Sequence, residues 1–215
     1  VEATLLGAFD LVEKPLSLQK LLRTVERALD AGKRRRHTGK LLASSASIPI
    51  GRSKLMQQLR AELTQLASND SPVLLVGEAG TGREAFARYL HEASPRAAQP
   101  FVALIASTLR DDTAETLLFG IERDGSVTPG LIEQASDGTL FLSELEDLPT
   151  SVQRLLVGML ETGHFSRVGG STRLPLRARF LSAARPGIEV IGESFRRDLL
   201  SHLNTLIVRI PPLRD

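Results

Sequence analysis

The 215-residue chain sets 27 Lys and Arg against 25 Asp and Glu, a formal charge of only +2. That balance leaves no strong electrostatic signature of nucleic-acid binding. The absence of cysteine excludes disulfides, thiolate nucleophiles and Cys-based zinc sites, and no apolar run approaches the ~20 residues of a membrane span.

The amino terminus, Val1-Glu2-Ala3-Thr4, lacks the charged and then apolar pattern of a secretory signal. Its lack of an initiator Met reads as a piece of a longer protein, and a cytoplasmic setting is expected. Leu18, Leu21, Leu22, Val25 and Leu29 form a helical stripe that Ser17 can cap. Gly32 and the run Lys33-Arg34-Arg35-Arg36 end that helix, and residues 33–47 read as a basic linker. The run could touch phosphates, or simply solvate the linker and offset the negative end of the preceding helix.

From Ser53 a second helix is predicted, with Leu55, Met56, Leu59, Leu63 and Leu66 on one face. Short, continuous apolar runs then alternate with helical patterns. The runs are 73–76, 101–105, 140–142, 180–181 and 206–208; the helices are 84–93, 113–119 and 152–160. Continuous rather than alternating apolar runs suit strands covered on both faces. The expectation is a doubly wound α/β domain with a parallel sheet.

Between the first strand and its helix lies Gly77-Glu78-Ala79-Gly80-Thr81-Gly82-Arg83-Glu84. A glycine-rich turn in that setting is a phosphate-binding loop. Its glycines let successive amides converge on phosphate oxygens, and the helix start adds unpaired amides. Arg83 stands where the generic pattern has Lys, and Glu84 where it has Ser or Thr. Arg keeps the charge in a larger, planar fork, and Glu84 offers a metal no hydroxyl. The four histidines, His37, His91, His164 and His202, have no metal-ligand spacing.

On these residues the segment over 48–215 resembles the AAA+ domain of sigma-54-dependent activators, the bacterial enhancer-binding proteins, whose loop commonly reads G-E-S-G-T-G-K-E. Ile50-Gly51-Arg52-Ser53, Leu118-Phe119-Gly120, Gly138–Leu142, Arg167-Val168-Gly169-Gly170 and Ile210-Pro211-Pro212-Leu213-Arg214 match further family segments in order. The resemblance places Ile50 and Gly51 near an adenine. Upstream, Gly7-Ala8-Phe9-Asp10 and Glu13-Lys14-Pro15 resemble the last strand and helix of a flavodoxin-like response-regulator receiver. Residues 1–32 are thus expected to be a receiver remnant, with Lys14 in the place that contacts a phosphorylated Asp.

The sequence departs from the active-enzyme pattern elsewhere. The sigma-54-engaging G-A-F-T-G-A loop is absent, and Ile121–Thr128 forms a shorter, turn-like segment. The acidic pair after the third strand is Ser143-Glu144, leaving Glu144 to orient an attacking water and weakening the implied Mg2+ site. Arg185 replaces a sensor Asn. Of two family arginines used between subunits, Arg196 is kept and His202 replaces the other. This set is most similar to the NtrX-type branch of nitrogen-regulation response regulators. The resemblance implies ATP or ADP as ligand, a homo-oligomer, a cognate sensor histidine kinase and DNA binding through a further domain. RNA polymerase is an implied partner, although the missing loop weighs against sigma-54 contact. The leading expectation is a regulator that binds ATP or ADP with impaired hydrolysis. The alternatives are an active ATPase remodelling sigma-54 polymerase, and an oligomerisation scaffold with a vestigial loop.

Overall fold

The computed structural model describes residues 49, 51–190 and 194–213. The expected receiver remnant, the basic linker, Ile50 and Arg214 lie outside the described residues. The described part opens with helix α1, Lys54–Ala67, whose first turn is capped by Ser53 Oγ accepting from the Met56 amide at 3.2 Å. Strand β1 (Val73–Val76) leads into α2 (Arg83–Glu92), then β2 (Phe101–Ile105) and the short α3 (Ala114–Phe119). A hairpin of β3 (Gly120–Arg123) and β4 (Ser126–Pro129) follows, then α4 (Leu131–Ala135), β5 (Thr139–Ser143) and α5 (Thr150–Thr162). A second hairpin pairs β6 (His164–Phe165) with β7 (Leu174–Pro175), before β8 (Arg179–Ala184), α6 (Arg197–Leu203) and β9 (Leu206–Arg209).

Five strands pair in the order β2-β5-β8-β1-β9, every pairing parallel. The three central strands are the most buried: β1 and β8 are buried throughout, while edge strands β2 and β9 leave Ile105 and Ile207 exposed. Leu59 and Leu63 of α1 and Phe86 and Leu90 of α2 pack with Val73, Leu75, Phe141 and Leu181 on one sheet face. The alternate residues Leu74, Leu140 and Leu142 point to the other face and are fully buried too. Both faces are therefore covered, which is why these strands read as continuous apolar runs. Each run of the sequence became a strand, extended by one to four residues where the short runs had underestimated it.

The expected stripe on α1 is only partly a core stripe. Leu59 and Leu63 are buried, but Leu55 is 47% exposed. It sits in the first turn, above the sheet edge, where nothing in the core reaches it.

The segment after Gly120 is a tight hairpin. Asp124 and Gly125 both take positive φ, 52° and 75°, the requirement of a two-residue turn that matches strand twist. Hydrogen bonds from the Glu122 amide to the Val168 carbonyl and from the Val168 amide to the Gly120 carbonyl tie this hairpin to the second one. Arg167 reinforces the link with a bidentate pair to Glu133 of α4, at 2.8 and 2.9 Å, and a bond to Glu122 at 3.1 Å.

The amino edge of the sheet carries a basic cluster. Arg179 is 2% exposed and donates to the Leu66 and Ala67 carbonyls, closing the end of α1. His91 is 5% exposed, with Nδ1 2.9 Å from Thr139 Oγ1 and its ring edge against Phe101. Burial pushes its pKa below the usual 6.5. A hydrogen bond to the Gln99 backbone opposes that shift, and Arg88, Arg179 and Arg96 add to it. A histidine with a depressed native pKa is bound by more protons when unfolded, so its effect is absent above about 6.5 and destabilises the fold below it. The melting temperature is expected to fall as pH drops from 7.5 to 5.5, and His91→Phe to remove part of that fall; thermal unfolding across this range checks it.

Candidate nucleotide site

All five strands end at one edge, so the loops that follow them gather there. The Gly77 amide, directly after β1, donates to the Ala184 carbonyl at the end of β8 at 3.2 Å. The loop then turns on Thr81, whose amide and hydroxyl both donate to the Glu78 carbonyl, at 3.3 and 2.8 Å. Gly80 and Gly82 take φ of 83° and 79°, and Gly82 is the N-cap of α2. Left-handed backbone at Gly82 turns the chain into the helix without a Cβ penalty. Among the described residues the amides of Ala79, Gly80, Gly82, Arg83 and Glu84 take no hydrogen-bond partner. The turn is held by one carbonyl and leaves the rest of its donors outward, the arrangement that receives an anion.

Beside the loop lies a cavity of about 460 Å³, within the range of small-molecule sites. Gly51, Leu55 and Met56 wall one side, and Ile210, Pro211 and Leu213 the other. Arg60 fixes the first wall by donating to the Pro49 and Gly51 carbonyls at 2.8 and 2.9 Å. The exposed Leu55 and Leu213 both line this cavity. Neither was singled out as a site residue from the sequence, because an exposed leucine in a helical stripe looks like core.

Arg83 opens α2, and its Nη1 is buried with no hydrogen-bond partner. A buried guanidinium N–H without an acceptor is costly unless a ligand supplies one. Glu84 is turned away, paired with Arg88 at 2.8 Å.

Across β8 from the loop, Glu144 follows β5 in left-handed backbone, φ 55° and ψ 50°. A non-glycine residue there is strained and marks a position set by its surroundings. Its carboxylate accepts a short hydrogen bond from Ser107 Oγ, a partner with no signal in the sequence. Ser143 Oγ donates to the Leu104 carbonyl at 3.4 Å. Arg185, one residue beyond the Ala184 carbonyl that holds Gly77, bonds Glu146 through Nε at 2.6 Å and Asp147 through Nη2 at 3.4 Å. The Glu146 hydrogen bond, then its charge, hold the Arg185 guanidinium even more firmly protonated.

Arg196 is placed apart from these groups. It stands just before α6, bidentate to Asp198 at 3.0 and 2.5 Å, its amide donating to the buried Gln153 side chain. No hydrogen bond among the described residues joins it to the loop or to Glu144. His202 faces Glu161 at 3.9 Å.

These residues do not make a seat for Mg2+. That ion is normally held by one or two carboxylates together with phosphate oxygens and waters. Here the residue ending β5 is a neutral serine in place of a carboxylate, Glu144 accepts from Ser107, and Glu146 and Asp147 are paired with Arg185. Among the described residues no cluster of three His, Cys, Asp or Glu could hold a metal.

Residues 49–209 match the family model described as the sigma-54 interaction domain. The chain belongs to that family. It is 36% identical over 214 residues to the nitrogen assimilation regulatory protein NtrX of Azorhizobium caulinodans, covering 97% of this chain and 47% of that protein. It is also 36% identical over 217 residues to the DNA-binding transcriptional regulator NtrC of Escherichia coli K12, covering 97% and 46%. The chain thus spans about half the length of the curated relatives it matches. NtrX of Brucella abortus in complex with ADP superposes with a TM-score of 0.74 at 32% identity, covering 99% of this chain and 49% of that one. The fold is accordingly the P-loop AAA+ fold of the sigma-54 activators, built on the parallel sheet described above.

At Gly82 an added methyl is opposed by the backbone conformation rather than by a clash. Gly82→Ala meets no neighbour closer than 4.0 Å but must hold φ near 79°. It is expected to cost about 1 kcal/mol of stability through backbone strain alone, measured by denaturant unfolding.

Proposed function

We propose that the chain is the nucleotide-sensing core of a two-component transcriptional regulator, in which ATP or ADP acts as a conformational and assembly ligand rather than as fuel. The observation that carries this reading is the contrast within one sheet edge. The loop of Gly77–Gly82 keeps its outward amides and the unsatisfied Arg83 Nη1, whereas Glu144 is fastened to Ser107 and the metal-binding carboxylate is a serine. Binding groups are open and hydrolytic groups are closed. Structures of the similar Brucella abortus NtrX hold ADP and ATP, which supports adenine nucleotide as the ligand.

On this reading Gly51, with Ile50 beside it, flanks the base, and residues Gly77 to Glu84 hold the phosphates. Glu144 and Arg196 are the remnants of the catalytic set, Arg196 acting toward a neighbouring copy in a homo-oligomer once it leaves Asp198. Its other partners are a sensor histidine kinase acting through the receiver, and DNA contacted through a further domain of the whole cytoplasmic protein. The two-residue turn at Asp124-Gly125 supports a reduced contact with sigma-54 polymerase, since so short a hairpin has no arm to extend.

Titration of ATP or ADP into the chain is expected to saturate and to raise the melting temperature with ligand concentration. Steady-state hydrolysis should stay at background and change by less than about twofold in Glu144→Ala. Turnover that falls tenfold or more in that variant would instead identify an active ATPase. No binding and no thermal shift would leave a scaffold with a vestigial loop.

A further inference from the structure

We infer that this site takes adenine nucleotide as the free anion, with the Arg83 guanidinium and the loop amides in the place of a divalent cation. The inference rests on the nucleotide-binding reading above and concerns what neutralises the phosphates.

A bound triphosphate needs counter-charge, and a P-loop site can draw it from a metal or from the protein. The metal route requires an anionic oxygen on the protein to hold the ion in register with the phosphates. This sheet edge has carboxylates, but most are paired with arginines and Glu144 is held by a neutral hydroxyl. Glu144 accepts from Ser107. Glu146, with its side chain 8% exposed, takes Arg185 Nε at 2.6 Å, and Asp147 takes Arg185 Nη2 at 3.4 Å. Glu84 pairs with Arg88, and Glu78 also has a partner. The neutral Ser143 ends β5, its hydroxyl turned to the Leu104 carbonyl.

The protein route is open. No carboxylate pairs with Arg83 among the described residues, and its Nη1 is buried without an acceptor. It stands at the first position of the ten-residue helix α2, so its charge adds to the positive end of that helix and to five unpartnered amides. A planar fork can also grip two phosphate oxygens side-on, which an ammonium cannot. A hydrated Mg2+ already wrapped in the phosphates would cover the oxygens these donors seek and would be repelled by the guanidinium. Metal should therefore add little to affinity.

The test is calorimetric titration of the full chain with ATP and with ADP, once in EDTA and once in excess MgCl2. Dissociation constants are expected to agree within about threefold, whereas a gain of about tenfold or more with Mg2+ overturns the inference. Failure to bind in either buffer would sink the nucleotide reading itself, a different result. Two variants locate the cause. Ser143→Asp restores a metal-binding carboxylate: it is expected to weaken binding in EDTA and to make Mg2+ strengthen it about tenfold. Arg83→Gln is expected to lose about tenfold in EDTA, and Arg83→Lys to recover only part of that loss. An Arg83→Gln protein that melts normally and binds as tightly in EDTA as the parent overturns the role given to the guanidinium.

Discussion

A parallel sheet covered on both faces has one inescapable consequence: all its strands finish at the same edge, and the backbone groups left over there must find partners. In this chain the finish of β1 is fastened to its neighbour by the Gly77 amide on the Ala184 carbonyl. Everything at the site follows from that bond. It places the glycine loop beside Arg185, sets the start of α2 over the edge, and leaves five amides without an acceptor among the described residues. The core fixes where the loop begins, and the positive φ of Gly80 and Gly82 fixes how it turns. On the proposed reading, this pre-set turn is what receives the phosphates.

Many of the charges around this edge are arranged in pairs. Arg185 is shared between two carboxylates, Arg88 holds Glu84, and Arg196 holds Asp198. Arg83 alone in this neighbourhood keeps a buried nitrogen without an acceptor. Most of these pairs are substantially exposed, and exposed ion pairs contribute little to stability. Their effect is to remove competing ligands for both phosphate and metal. On the proposed reading, the same set of substitutions that weakens a catalytic centre simplifies a binding centre.

Much of this was legible in the sequence, for identifiable reasons. Continuous apolar runs announced buried strands because a doubly covered strand has no polar face to interrupt it, and β1 and β8 show that. The phosphate loop was legible because few other contexts place three glycines between such a strand and a helix. What was not legible depended on distance in the chain. Ser107 reaches Glu144 across 37 residues and Arg185 reaches Glu146 across 39, and nothing local in either residue announces its partner. Leu55 was misplaced because its spacing fits the α1 stripe, yet the stripe runs past the end of the sheet it covers. The receiver remnant, the linker and Ile50 lie outside the described residues and remain at the level of resemblance.

The two hairpins show how the same sheet edge constrains motion. Tied by the Glu122–Val168 backbone bonds and clamped by the mostly buried Arg167 to both Glu122 and Glu133, they form one ridge rather than two loops. Gly170 fits against Glu122 so closely that a Cβ there would meet its carboxylate at 2.8 Å, so the clamp leaves no room for independent sliding. Phe119, at the end of α3, stands 6.2 Å from Phe165 in the second hairpin, joining the ridge to the helix that precedes it. A packed assembly of this kind shifts as a body or stays still, because interiors do not deform continuously.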